Sequence, residues 1–282
     1  MPTVGITVLG PVQAWRDDQE LPLGPPQQRS VLALLAVVGG QPITTREIVE
    51  ALWDSQPPRS AVNVVQTYLK RLRRILEPER PPRSASTLLP ARHGGYALRA
   101  EPEAVDLWRF RGLLGRAREL HRIGDHRRVT TLLADALRQW HGPPGADLPA
   151  LAQHHRVRAV VEEYGAVVRW YAQASLVTGA PGEAVPVVAQ AATGRPFDEP
   201  LHAQLIRLYH AAGQRSEAVR VFQSCRRRLH DELGLDPGPE LTGAFGELLR
   251  DQRPWSRAVP PELKPAPTTV RTGRPPLGRT GP

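Results

Sequence analysis

Apolar positions recur at helical spacing along residues 59–77, RSAVNVVQTYLKRLRRILE. Val62, Val65, Leu69, Leu72 and Leu76 share one face at about 100° per residue. Asn63, Thr67, Lys70, Arg71 and Arg74 share the other. The pattern predicts one amphipathic helix with Ser60 as its N-cap, an apolar stripe that needs a core, and a cationic stripe turned away from it. Upstream, residues 3–9, 12–15 and 20–23 are β-like runs separated by Gly10-Pro11 and a polar turn, which predicts a small antiparallel sheet. A sheet of that size must pack on something. Residues 26–38 carry a broad apolar face between a Pro-Pro start and a Gly-Gly stop. Residues 45–53 place Ile48, Val49 and Leu52 inward, and Thr44 and Glu47 stand at capping-box spacing. Residues 87–89 and 96–98 are short apolar runs around a glycine-bearing tip that carries Arg92, the pattern of a β-hairpin.

From residue 101 to 252 the periodicity is almost entirely helical. Gly179-x-x-x-Glu183-Ala184-Val185 returns as Gly213-x-x-x-Glu217-Ala218-Val219, and a fainter copy starts at Gly124. The offset of the two clear copies matches the tetratricopeptide period of about 34 residues, in which each helical hairpin buries its face on its neighbours. Cys225 falls at a small-residue packing position, so a core role is expected. Residues 253–282 are rich in Pro and Arg and too poor in apolar residues to repay ordering, so a disordered tail is expected.

The fold class is therefore mainly α, in two parts with a tail. Residues 1–100 form a winged helix-turn-helix of small sheet, three helices and hairpin wing. Residues 101–252 form an all-α, tetratricopeptide-like domain. In such a unit the third helix enters the major groove and the hairpin reaches the adjacent backbone or minor groove. The charge balance agrees. Lys plus Arg number 37 against 28 acidic residues, a formal net charge of +9, which favours polyanionic partners. Only Lys70 and Lys264 are lysines, and arginine is the better bidentate fork for guanine and phosphate. Asn63, Thr67 and Arg71 are placed to read base edges, and Lys70, Arg73 and Arg74 to meet phosphates. The start of the second helix, Thr44, Thr45 and Arg46, offers free amides for another phosphate, with capping alone as the competing role for Thr44.

The blocks QRSVLALLAVVGGQPITTREIVEALW, SAVNVVQTYLKRLRRILE and ARHGGYALR resemble the OmpR-type winged-helix regulators. They are most similar to the Streptomyces antibiotic regulatory proteins. AVDLWRFRGLL and the segment DEPLHAQLIRLYHAAGQRSEAVRVFQSCRRRLHDELGLDPGPEL resemble the bacterial transcriptional activation domain of the same regulators. The resemblance implies an activator that binds direct repeats near the −35 element of promoter DNA as a dimer and switches on antibiotic biosynthesis genes. It also implies that Arg92 reaches the minor groove, and that the loop with Asp54, Ser55, Gln56 and Arg59 contacts RNA polymerase holoenzyme. The nucleotide-binding module of larger relatives has no counterpart, since no GxxxxGK[ST] occurs.

The alternative is a tetratricopeptide-type interaction scaffold whose winged helix does not bind DNA. It predicts peptide binding without salt-dependent DNA affinity. No nucleophile elbow, HExxH, kinase set or dinucleotide fingerprint is present, so neither an enzyme nor a cofactor is expected. His154, Arg158 and Glu162 share a helical face and are read as surface ion-pair residues rather than a metal site. One cysteine excludes an intrachain disulfide, and no signal or membrane-spanning run is visible, so a cytoplasmic, nucleoid-associated location is expected.

Overall fold

The computed structural model describes residues 4–54 and 56–250; the expected tail lies outside them. Strands β1 (Val4–Thr7), β2 (Gln13–Arg16) and β3 (Gln19–Glu20) form an antiparallel sheet in that order, with Val4 opposite Arg16 and Trp15 opposite Glu20. Helix α1 (Pro26–Val37) starts on a proline and buries every residue from 31 to 37. A helix buried on nearly all sides must be central, and α1 packs against α2 (Thr45–Trp53), α3 (Ala61–Leu76) and, further along the chain, α6 (His155–Val177). A second sheet joins β4 (Ile43–Thr44), β6 (Gly95–Tyr96) and β5 (Ala91–Arg92), in that order.

The rest is helical: α4 (Asp106–Arg122), α5 (His126–Leu137), α6, α7 (Pro181–Thr193), α8 (Glu199–Ala211), α9 (Arg215–Arg228) and α10 (Pro239–Arg250). From α4 to α9 each helix packs on the next, and α10 closes against α8. Gly179 and Gly213, at equivalent points of the repeat, end α6 and α8 with φ of +73° and +74°. Ala184 and Ala218, five residues on, are fully buried. Cys225 is buried too, 3.9 Å from the Pro196 carbonyl, and burial pushes its thiol up to about 11, so it packs rather than reacts.

One apolar cluster runs without interruption from Ile6 through α1 and α3 to Leu208, crossing the junction near residue 100. Polar contacts stitch the same junction. The buried Asp106 carboxylate accepts from the Val8 and Leu9 amides, each at 2.9 Å, and from its neighbour Leu107 at 2.7 Å. Burial raises its pKa against the pull of those amides. Trp108 Nε1 donates to Ala36 at the end of α1 (2.8 Å), and Arg156 of α6 pairs with Glu47 of α2 (3.0 Å). A strap at residues 141–147 lies along the sheet: the amides of His141, Gly145 and Ala146 donate to Leu9, Val8 and Gly10, each at 3.0 Å.

Three local expectations are corrected. Val62 is 50% exposed, and Ala61 takes its place as the first member of the buried stripe, while Val65, Leu69, Leu72 and Leu76 are buried as expected. Ser60 makes no side-chain capping bond, because its backbone is not in the extended conformation that aims a cap. The wing strands are not 87–89 and 96–98. Glu77 draws the first of those runs onto α3, accepting from the hydroxyls of Ser86 and Thr87 and from the amides of Thr87 (2.7 Å) and Leu88 (3.0 Å). The hairpin turns instead on His93-Gly94, both at positive φ, as a two-residue loop between β5 and β6 requires. Arg92 is thus on a strand, one residue before the tip.

Candidate nucleic-acid interface

Helix α3 is held from beneath by Ala61, Val65, Leu69, Leu72 and Leu76, all buried. Arg16 reaches from β2 to cap its last turn, donating to the carbonyls of Ile75 (2.8 Å) and Leu76 (3.0 Å). Tyr68 donates to Gln27 of α1 at 2.7 Å, which fixes the helix's rotation. What α3 leaves outside is a continuous polar stripe: Asn63, Thr67, Lys70, Arg71 and Arg74 are all exposed. No acidic residue occurs in the helix. The Thr67 hydroxyl donates to the Asn63 carbonyl at 2.9 Å, leaving its oxygen as an outward acceptor. Gln66, also exposed, flanks this stripe and was missed by the pattern reading. Its spacing three residues after Asn63 was the available signal.

Arg73 is placed differently. It is half-buried, donates through Nε and Nη2 to the Leu89 carbonyl (3.0 and 2.7 Å), and lies 5.5 Å over the Tyr96 ring. It therefore ties α3 to the base of the wing. Arg92 is exposed on β5. The wing is seated by Gly95: a β-carbon there would lie 2.0 Å from the Ile43 carbonyl oxygen. Gly95→Ala is expected to prise β6 from β4 and cost about 1–3 kcal/mol. Denaturant melts compared with those of wild type measure it, and equal stability would show that the β4–β6 pairing is dispensable.

Thr44 has the capping role. Its hydroxyl accepts from the Glu47 amide (3.1 Å), and its own amide donates to the Glu47 carboxylate (3.0 Å). Thr45 is half-buried, and Arg46 is exposed beside Glu50 at 3.5 Å. The Thr44 backbone bond, with Arg156, holds Glu47 at a pKa of about 2, below its ordinary 4.5. With the folded pKa depressed, the cap's contribution is whole above pH 4.5 and is lost only as pH falls toward 2. Side-chain NMR titration of Glu47 is expected to show a midpoint near 2, and a midpoint near 4.5 would mean that the cap is not formed. Between α2 and α3, Asp54 has φ of +51°, Gln56 and Arg59 are exposed, and Ser55 lies outside the described residues.

Elsewhere, His154 accepts from the Arg156 amide at 3.3 Å as the N-cap of α6, and Glu162 lies 3.5 Å from Arg195. Among the described residues no group of three or more His, Cys, Asp or Glu is arranged to hold a metal, and no helix is long and apolar enough to cross a membrane.

The model of the bacterial transcriptional activator domain matches residues 105–249, and that of the transcriptional regulatory protein C-terminal domain matches residues 18–98. The chain belongs to the Streptomyces antibiotic regulatory protein family. Within it, regulatory protein AfsR of Streptomyces griseus is 34% identical over 263 residues, 93% of this chain and 26% of AfsR. Transcriptional regulatory protein EmbR of Mycobacterium tuberculosis is 30% identical over 247 residues, 87% of this chain and 63% of EmbR. The solved structure of EmbR in complex with a low-affinity phosphopeptide superposes with a TM-score of 0.73 at 29% identity, covering 89% of this chain and 66% of that one. The chain thus spans about a quarter of the length of AfsR and under two thirds of EmbR. Members of the family join a winged helix to this helical domain, as this chain does.

Proposed function

We propose that the chain is a sequence-specific DNA-binding transcriptional activator that lays α3 in the major groove. The observation that carries the reading is the acid-free stripe of Asn63, Thr67, Lys70, Arg71 and Arg74, mounted on a fully buried face and locked in rotation by Arg16 and Tyr68. Asn63, Thr67 and Arg71 read base edges, with Gln66 as a further amide at the margin. Lys70 and Arg74 anchor on phosphates. Arg73 positions the wing, so that Arg92 reaches the adjacent minor groove or backbone. Arg46 and Thr45 meet a flanking phosphate beside the capped start of α2. The loop with Asp54, Gln56 and Arg59 faces RNA polymerase, two copies sit on direct repeats, and the target is a biosynthetic gene cluster. Family membership supports these last three assignments.

The test is footprinting and fluorescence anisotropy on the DNA upstream of neighbouring genes, across a salt series. Protection of repeated half-sites with strongly salt-dependent affinity is expected. Affinity for neither specific nor non-specific duplex would overturn the reading in favour of a protein-binding scaffold. Lys70→Gln and Arg74→Gln are each expected to flatten the log–log salt dependence by about 1 while weakening all sequences alike. An unchanged slope would remove the residue concerned from the phosphate contacts.

A further inference from the structure

The wing ends in a histidine that its turn does not need. His93 and Gly94 are the two turn residues, with φ of +45° and +75°, and asparagine or glycine meets that demand at the first position as well. Strand side chains stand roughly perpendicular to their sheet, so Arg92 on β5 leaves the hairpin sideways. The turn residues project past its end, and Gly94 has no side chain there. The imidazole of His93 is therefore the leading group of the wing. It is exposed, and among the described residues no hydrogen bond or ion pair engages it.

The surroundings of that ring suit an anion. Between Glu79 and Glu101 the chain holds no acid, while Arg80, Arg83, Arg92 and Arg99 fall there. At the base of the hairpin, Arg73 of α3 lies over Tyr96 and donates to the Leu89 carbonyl. On the β4 side stand Arg46, paired with Glu50, and Glu47, whose carboxylate is taken up by Thr44 and Arg156. His93 is the one histidine in this set, and imidazole is the side chain whose charge ordinarily changes between about pH 5 and 8. The base of the wing is held at a fixed distance from α3, by Arg73 and by the close seat of Gly95 on Ile43. A tip at fixed reach from a helix in the major groove meets the groove next to it. A narrow minor groove is strongly negative and draws in arginine, lysine and histidine side chains. Its A·T pairs present acceptors alone, whereas G·C adds an amino donor.

We propose that His93 enters the minor groove beside the base pairs read by α3, as an imidazolium whose N–H groups donate to A·T edges, and that it makes the chain prefer A·T over G·C pairs there. The assignment rests on the DNA-binding reading, and it leaves Arg92 to the phosphates at the groove's edge. The probe is the duplex protected in the footprint, with the pairs flanking each half-site set to A·T or to G·C. Anisotropy at constant ionic strength, at about pH 6 and about pH 8, reads the four affinities of the full chain. The A·T duplex is expected to bind about fivefold tighter at the lower pH, and the preference to fall to about twofold or less at the higher. His93→Asn, which keeps a turn-forming residue, is expected to bind both duplexes alike at either pH. His93→Gly, which suits the same turn without a side chain, is expected to do the same, and thermal melts of both variants should match that of wild type. Equal wild-type affinity for the two duplexes, a preference that does not vary with pH, or one that survives in both variants would each overturn the role of His93 while DNA binding stands. Binding to neither duplex at either pH would overturn the DNA-binding reading itself, and this assignment with it.

Discussion

Reversing the charge at Arg71 is expected to abolish sequence-specific DNA binding while leaving the fold intact. The side chain is exposed on α3, and among the described residues no carboxylate pairs with it. On the proposed reading, losing its contact with a base edge costs about 1–3 kcal/mol in discrimination. A glutamate at the same place adds repulsion from the phosphates on either side, so Arg71→Glu is expected to weaken specific binding by about 100-fold or more. An exposed substitution that breaks no capping or packing contact changes stability by only about 0.5 kcal/mol. Anisotropy on a promoter duplex reads the binding, and circular dichroism with a thermal melt reads the fold. Wild-type affinity in this variant would remove α3 from the groove. Arg73→Gln makes a contrast: because Arg73 holds the Leu89 carbonyl and covers Tyr96, stability and wing position should fall together.

Asp106→Ala is expected to be the most destabilising single change at the junction. Three backbone amides, those of Val8, Leu9 and Leu107, point at one carboxylate that is 2% exposed. Removing it strands buried donors, at about 1–3 kcal/mol each. Partial relaxation brings the expected total to about 3–5 kcal/mol, a fall in melting temperature on the order of 10 °C for a chain of this size. Asp106→Asn keeps one acceptor oxygen and should lose less. Urea melts of both variants order the effects. Equal stability of Asp106→Ala and wild type would mean that water replaces the carboxylate, and that the junction rests on apolar packing alone.

These two residues mark how far the amino-acid pattern reaches. Arg71 was legible because a helical stripe is a local property: spacing, charge and a buried opposite face all lie within 16 residues. The bounds of α2 were legible for the same reason, through the Thr44–Glu47 box. Asp106 was not singled out, since its partners lie 98 and 97 positions away. An acid set between apolar residues at a helix start was its only trace. The wing slipped because residues 87–89 look like a strand, whereas Ser86, Thr87 and Leu88 donate to Glu77 instead, an arrangement written in no periodicity.

The shared core at the junction has a consequence for anyone building chimaeras from this family. Transplanting residues 1–100 onto a relative's helical half carries the Val8, Leu9 and Val12 amides without the Asp106 and Asp147 carboxylates that receive them. It also separates Glu47 from Arg156, and Ala36 from Trp108. A graft that retargets the regulator to a new operator has to move these partners as a matched set, or choose a recipient that already has them. The natural unit of exchange is smaller than the winged helix: it is the outward stripe of α3 with the tip of the wing, which changes the reading surface and leaves the seam untouched.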